Sequence, residues 1–316
     1  MAGAARILIT GGTGFIGSHL VRRCVAEGHE VHVLLRPSSA AVRLEPIGSA
    51  VTLHRLSLSD GAAVRACLAA VRPTGIFHLV GNTASRHDPT LAQSRESLES
   101  LTDFLSLVEA AAGMEVPPRL FLRTGSIAEY GAAALPFYEE QRERPETGYA
   151  ASLVAATHYA QAIAPRLPFP LVTARLALVY GPGQASDFLV PSIIEACVAN
   201  RPISLRRPKD RRDLIHVDDV VEVLTGLARE MPADCPVINI GSGYDVSVEA
   251  LAETIADLAG CSLRLLAGGD DYEPVTLRLS IERLRRATGW RPRVPLREGL
   301  AALIEEARPR MMTVAA

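Results

Sequence analysis

The chain has 316 residues, 48% hydrophobic and 22% charged, with a formal net charge of −2. That length buries a large core, and the near-neutral charge gives no electrostatic reason to bind nucleic acid or an anionic membrane. No apolar run of about 18 residues is present to cross a bilayer, and the first strand starts too close to Met1 for a signal peptide, so a cytoplasmic location is expected.

Ile7 to Ile9 reads as a strand buried on both faces, and from Phe15 the apolar residues Phe15, Ile16, Leu20 and Val21 recur at helical spacing. Between them Gly12-Thr13-Gly14-Phe15-Ile16-Gly17 matches G-x-G-x-x-G in its required strand-to-helix setting. Gly12 is expected to permit a tight turn, Gly14 to let backbone approach a pyrophosphate, and Gly17 to let the helix lie close to the strand. The amides and positive dipole end of the helix would face the phosphates, so dinucleotide binding is expected.

Further strands are expected at Glu30 to Leu35, Val51 to Leu58, Ile76 to Val80, Leu120 to Arg123, Leu171 to Tyr180 and Val237 to Ile240. Helical patterns occupy Gly61 to Ala70, Leu91 to Ala112 and Tyr149 to Ala164. Strand and helix alternate, so the fold class is α/β: a Rossmann-like doubly wound parallel sheet with ligands at the carboxyl ends of its strands. From Gly181 the Gly-Pro texture marks loops and short elements, followed by helices at Ser247 to Leu258, Ile281 to Thr288 and Arg297 to Glu306. The expected division is a nucleotide-binding domain over 1–180 plus about 215–243, and an interleaved, smaller α+β substrate-binding lobe over 181–214 and 244–316.

The five cysteines are scattered without a C-x-x-C pair, so they read as small core residues, with neither zinc site nor disulfide framework and no metal expected. Lys209 is the only lysine.

Several motifs in sequence resemble the extended short-chain dehydrogenase/reductase family of nucleotide-sugar epimerases, dehydratases and reductases. Thr10-Gly11-Gly12-Thr13-Gly14-Phe15-Ile16-Gly17 is similar to its cofactor loop, Thr124 to Gly131 to its catalytic-serine segment, and Tyr149-Ala150-Ala151-Ser152 to its tyrosine helix. Val179-Tyr180-Gly181-Pro182-Gly183, Arg212 to Asp219, Asn239 to Gly243 and Gly289-Trp290-Arg291-Pro292 follow in the family's order. The resemblance covers nearly the whole chain. It implies hydride transfer between a nicotinamide and a sugar carbon, with Tyr149 exchanging the proton and Ser126 polarising the oxygen. It also implies cofactor contacts at Ser57, Leu58, Leu79 and Val80, and substrate contacts at Asn82 and Ser126.

Two departures matter. The family lysine one helical turn past the tyrosine, which binds the nicotinamide ribose and lowers the tyrosine pKa, is Leu153 here. The family asparagine in the preceding helix aligns with Ser100. A phenol near its ordinary pKa of about 10 is a poor base at neutral pH but a competent proton donor, which favours reduction over oxidation-first chemistry. Where NAD-preferring members carry an acid after the second strand, this chain has Leu35 and Arg36; Arg36 can fork onto a 2′-phosphate with Ser38 or Ser39 assisting, so NADP (as NADPH) is the expected cofactor.

Arg206, Arg207, Arg211 and Arg212 crowd one segment, and Arg206 and Arg212 are the expected contacts for a substrate diphosphate, with Asp213 orienting an arginine. His216, Asp218 and Asp219 resemble lobe-joining residues, and His158 reads as structural. These features favour an NADPH-dependent ketoreductase acting on a nucleotide-linked 4-keto-6-deoxyhexose. The alternatives are a nucleotide-sugar 4-epimerase or dehydratase, a catalytically impaired NADP-binding sensor or scaffold, and a reductase of a polyketide or other non-nucleotide ketone. A homodimer through the helices at Leu91 to Ala112 and Tyr149 to Ala164 is a family expectation, with Leu98, Leu101, Leu105 and Val108 forming an apolar stripe on the first.

Overall fold

A computed structural model describes residues 4–79, 91–230, 235–262, 265–266 and 272–314. The elements are β1 (Arg6–Thr10), α1 (Phe15–Ala26), β2 (Glu30–Leu35), β3 (Val51–Arg55), α2 (Gly61–Val71), β4 (Gly75–His78), α3 (Leu91–Ala112), β5 (Leu120–Ser126), α4 (Gly148–Ile163) and β6 (Leu171–Leu176). They continue with β7 (Leu178–Tyr180), α5 (Leu189–Val198), β8 (Ile203–Ser204), β9 (Arg211–Arg212), β10 (Leu214–His216), α6 (Val217–Arg229), β11 (Val237–Ile240), β12 (Val246–Ser247) and α7 (Val248–Ala259). Last come β13 (Leu265–Leu266), β14 (Thr276–Leu277), α8 (Glu282–Thr288) and α9 (Leu296–Val314).

The central seven-stranded parallel sheet runs β11-β6-β5-β4-β1-β2-β3. Strand order reverses between β1 and β4, so the carboxyl ends of these two strands flank the crevice where doubly wound sheets hold ligands. Thr10 and His78 end the two strands there, with Thr10 Oγ1 and His78 Nδ1 2.8 Å apart. The chain divides into two compact units: Met1–Ala133, Glu139–Leu176 and Val221–Asn239 form the first, and Ala134–Tyr138, Ala177–Val220 and Ile240–Ala316 the second. The first packs Leu8, Val64, Leu68, Ile76, Phe104 and Phe121 into its core. The second has its own core around Ile193, Leu251, Ile255, Leu300 and Ile304.

Three expectations are corrected. The third strand stops at Arg55 instead of Leu58, because its partner β2 ends at Leu35 opposite Arg55 and the chain then turns, with the Asp60 amide bonding the Ser57 carbonyl and Asp60 capping α2 through the Ala63 amide. The expected single strand from Leu171 to Tyr180 is two: β6 stays in the main sheet, whereas β7 pairs with β10 once the Leu178 amide bonds the Asp213 carbonyl. Strand β5 runs on to Ser126, since Thr124, Gly125 and Ser126 pair with Ala174, Arg175 and Leu176.

On α3, Val108 is buried with Phe104 and Leu107, Leu101 and Leu105 are half-buried, and Leu98 is exposed. All five cysteines are free thiols, three of them buried. Among the described residues no helix is long and apolar enough to cross a membrane.

Candidate active site

The loop after β1 is built by glycines with different tasks. Gly11 takes the left-handed turn, with φ +73°, which the spacing assigned to Gly12. Gly12 is instead a packing position, where a Cβ would sit 2.8 Å from Val33 Cγ1. A Cβ on Gly17 would fall on the Gly11 carbonyl, so the helix start lies directly against the loop that leaves β1. Helix α1 starts at Gly14 with no side-chain cap and no acid in its first turn, whereas Asp60, Thr147 and Ser247 cap α2, α4 and α7. Open first-turn amides beside Thr13, Phe15 and Ile16, at the positive end of a helix, fit the pyrophosphate of a dinucleotide.

Arg36 is exposed beyond β2. The turn that carries it with Ser38 and Ser39 is fastened by Arg55, whose Nη1 donates to the carbonyls of Pro37 (3.1 Å) and Ser39 (2.9 Å). Arg36 also has a competitor for its charge, because burial and Glu99 push the Asp103 carboxyl on α3 up while Arg36 pulls it down. Ser57 Oγ lies 2.8 Å from Ser59 Oγ, Leu58 is buried, and the Leu79 amide donates to the Thr10 carbonyl. Val80 and Asn82 lie outside the described residues.

Ser126 ends β5 and caps the short turn Ile127–Glu129. Its Oγ accepts from the Ala128 amide at 3.2 Å, leaving its own hydrogen to donate, while its amide donates to Glu129 Oε1 at 3.0 Å. Tyr149 occupies the first turn of α4, which Thr147 caps through the Ala150 amide. Both side chains are half-buried, as is Leu153 one turn on. His158 is exposed, its Nε2 3.2 Å from Glu143 Oε2, which is the structural role expected of it.

A buried polar network joins the Ser126 turn to α4 and β6. Arg123 Nη1 donates to Thr157 Oγ1 (3.0 Å) and Thr173 Oγ1 (3.3 Å). Thr157 donates in turn to Glu129 Oε2 at 2.7 Å, and Arg175 binds Glu129 and Glu143. Burial alone would lower the Arg175 pKa, but Glu129, Tyr130 and Glu143 raise it. Burial opposes ionisation of Glu143 as well, yet its bond to Arg175 holds the carboxyl below the ordinary value. His78 is pushed down to about 3 by burial and then by nearby Arg123, so it is neutral.

None of Arg123, Glu129 or Arg175 stands out as a site residue from spacing. The signal that marks the two arginines is a charge inside a buried, mostly apolar strand, Leu-Phe-Leu-Arg and Val-Thr-Ala-Arg-Leu, where an unpaired charge is too costly to keep; Glu129, in the turn after β5, carries no such mark.

In the second unit, the arginine segment is largely self-satisfied. Arg207 Nε binds Asp210 and stacks over Tyr272, Arg211 binds Asp245, and Arg212 spends Nη2 on Asp210 and Nη1 on the carbonyls of Arg211 and Val275. Among the described residues Arg206 has no intramolecular partner and is exposed. Asp213 does not orient an arginine. It is buried and accepts from Ser242 N, Ser242 Oγ, Gly243 N and Leu279 N, fixing the loop after β11. Asp219 accepts the amides of Arg293 and Val294, and His216 packs edge-on against Tyr180.

The model of the NAD dependent epimerase/dehydratase family matches residues 7–241. The chain is 29% identical over 313 residues to dTDP-6-deoxy-L-talose 4-dehydrogenase (NAD(P)(+)) of Kitasatospora kifunensis, covering 95% of this chain and 94% of that one. It is 29% identical over 323 residues to UDP-glucose 4-epimerase of Mycolicibacterium smegmatis, covering 95% and 97%. Among solved structures, UDP-glucose 4-epimerase of Thermus thermophilus in complex with NAD superposes with a TM-score of 0.81 at 28% identity, covering 96% of this chain and 99% of that one.

Proposed function

The chain belongs to the NAD dependent epimerase/dehydratase family, and on that footing we propose that it is a nucleotide-sugar oxidoreductase of the epimerase or dehydratase type, working at a ring carbinol of the sugar. The observation that supports this reading is a capped but still donating Ser126 at the end of β5 and Tyr149 in the first turn of α4, both in the same unit as the open α1 terminus.

Ser126 would donate its hydroxyl hydrogen to the sugar oxygen, with the Ala128 amide holding the Oγ in place. Tyr149 would hold or take the proton of that oxygen at its Oη. The nicotinamide, when bound, supplies the place where hydride is parked and from which it returns. The Gly11 to Gly17 loop would hold the pyrophosphate, with Leu58 and Leu79 beside the cofactor. Arg206 is the candidate for the substrate diphosphate, since the other three arginines of its segment are committed to Asp210 and Asp245. The curated relatives support this substrate class, because they act on dTDP- and UDP-linked sugars by name.

A second reading, one-way NADPH-dependent reduction of a 4-keto-6-deoxy sugar nucleotide, is favoured by Leu153 and by exposed Arg36. Product analysis separates the two. Purified protein incubated with UDP- and dTDP-hexoses, with catalytic NAD only, is expected to yield the C4 epimer or a dehydrated sugar. Stoichiometric NADPH loss with a keto-sugar, and no change in the hexoses, would select the second reading. A protein inert in both assays is not an enzyme of this kind.

A further inference from the structure

We propose that Arg55, at the end of β3, is a positioning residue for the dinucleotide: by holding two carbonyls of the Arg36 to Ala40 turn it aims the amides of Ser38 and Ala40 at the phosphate that distinguishes NADP from NAD. The inference rests on the reading of this turn as the place where a 2′-phosphate is recognised.

Strands β2 and β3 run parallel with Leu35 opposite Arg55, so the arginine stands beside the start of the turn, at the carboxyl edge of the sheet. Its Nη1 donates to the carbonyls of Pro37 at 3.1 Å and Ser39 at 2.9 Å. The turn closes on itself through the Ser39 amide, which donates to the Arg36 carbonyl at 3.0 Å. Among the described residues that leaves the Ser38 and Ala40 amides without a hydrogen-bond partner.

Their direction follows from the peptide itself. In a planar trans peptide C=O and N–H point opposite ways, and the only cis bond among the described residues is Leu135-Pro136. The Ser38 amide shares its peptide with the Pro37 carbonyl, and the Ala40 amide shares its peptide with the Ser39 carbonyl. With both carbonyls drawn to Arg55, both amides are turned to the opposite side. The central peptide of a β-turn is the one that flips between type I and type II forms, and the bond to the Pro37 carbonyl holds it in one of them. A carbonyl held by a guanidinium also polarises the N–H of its own peptide, so the donors are strengthened as well as aimed. What the turn offers suits an anion: two amides, two serine hydroxyls and the Arg36 guanidinium, with no acid in the turn to accept from a free 2′-hydroxyl. Arg36 makes no hydrogen bond among the described residues, and Asp103 on α3 is the carboxyl coupled to it. Arg55 bonds no carboxylate among the described residues, so its charge adds to that of Arg36.

Fluorescence titration with NADPH and NADH reads the preference without any sugar substrate. R55M removes both clasp and charge, and is expected to weaken NADPH binding about tenfold while NADH affinity and the melting temperature stay level. R55K, which keeps charge and donors, is expected to restore most of the loss. The R36M/R55M double variant is expected to lose less than the product of the two single losses, because R36M already removes part of what Arg55 places.

An NADPH affinity unmoved by R55M, or an equal loss for NADH, overturns the proposal. A double loss equal to the product also overturns it, since Arg55 would then act as an independent charge. Should R55M not fold, amide NMR of nitrogen-labelled wild-type protein decides: adenosine 2′,5′-bisphosphate must shift the Ser38 and Ala40 amides more than 5′-AMP does, and equal or absent shifts overturn the proposal. The two readings fail separately. A wild type that binds NADH as well as NADPH sinks the 2′-phosphate reading and Arg55 with it, whereas a wild-type preference that survives R55M sinks Arg55 alone.

Discussion

Arg175 Nε and Glu129 Oε2 meet at 2.9 Å, and neither side chain has any exposed surface. Glu129 at the same time accepts the Ser126 amide and the Thr157 hydroxyl, so one carboxylate ties the serine turn to the tyrosine helix and to β6. Removing one partner of such a pair leaves a buried charge without compensation, which costs far more than the pair contributes as a whole.

Glu129→Gln is therefore expected to destabilise the fold by about 3 kcal/mol. Urea denaturation checks this, with the exposed pair Arg308 and Glu305 as control, where Glu305→Ala should leave the midpoint where it was. Equal, small effects at both sites would mean that the interior pair is solvated.

Gly17→Ala places a methyl group against the Gly11 carbonyl. Backbone has to move to admit it, so a loss of about 1–3 kcal/mol in stability is expected together with weakened dinucleotide binding. Thermal melting and a fluorescence titration with NADH measure the two effects. Unchanged affinity would show that the loop does not hold the pyrophosphate.

Tyr149→Phe and Ser126→Ala separate chemistry from folding. Tyr149→Phe is expected to lower kcat roughly 100-fold or more with the melting temperature retained. Ser126→Ala also loses a cap and so costs about 1 kcal/mol of stability besides turnover. Single-turnover kinetics alongside calorimetry read both, and full activity in Tyr149→Phe would remove the tyrosine from the mechanism.

Arg36→Glu tests the nucleotide preference. If Arg36 meets a 2′-phosphate, the ratio of NADPH to NADH affinity falls roughly tenfold or more, in line with a charge-assisted bond of about 1.5–3 kcal/mol. A ratio that does not move would assign Arg36 to Asp103 alone.

Acid stability follows from the carboxyls. Glu143 and Asp210 have folded pKa values below the ordinary carboxylate range, although burial works against them, because of their arginine bonds. Their contribution is present above the unfolded value and is lost as pH falls through the folded one, so the melting temperature should drop below about pH 4.5. Asp213 works the other way, since burial raises its carboxyl against four donors, and its contribution is lost as pH rises through the folded value. Glu143→Gln should flatten the acid limb; an unchanged limb would show that Glu143 does not carry it.

Much of the protein is written in local sequence. The strand-to-helix glycines and the alternation of apolar runs with amphipathic helices are legible because turn chemistry and side-chain periodicity act over a few residues, whereas Ser126 and Tyr149 are marked only by the resemblance of their segments to the family's. The glycine tasks were only partly so, since Gly11 rather than Gly12 takes the positive φ and Gly12 answers to Val33 on a neighbouring strand.

Charge partnering was not legible at all. Arg175 and Glu129 stand 46 residues apart, and Arg123 and Thr157 34 apart. Four arginines in a row of seven residues looked alike in sequence, yet folding commits three of them to carboxylates and leaves Arg206 with none among the described residues. Composition fixes which charges a chain carries, but burial and long-range approach decide which of them keep water and which find a partner. Those terms depend on distances that exist only once the sheet and its helices have assembled.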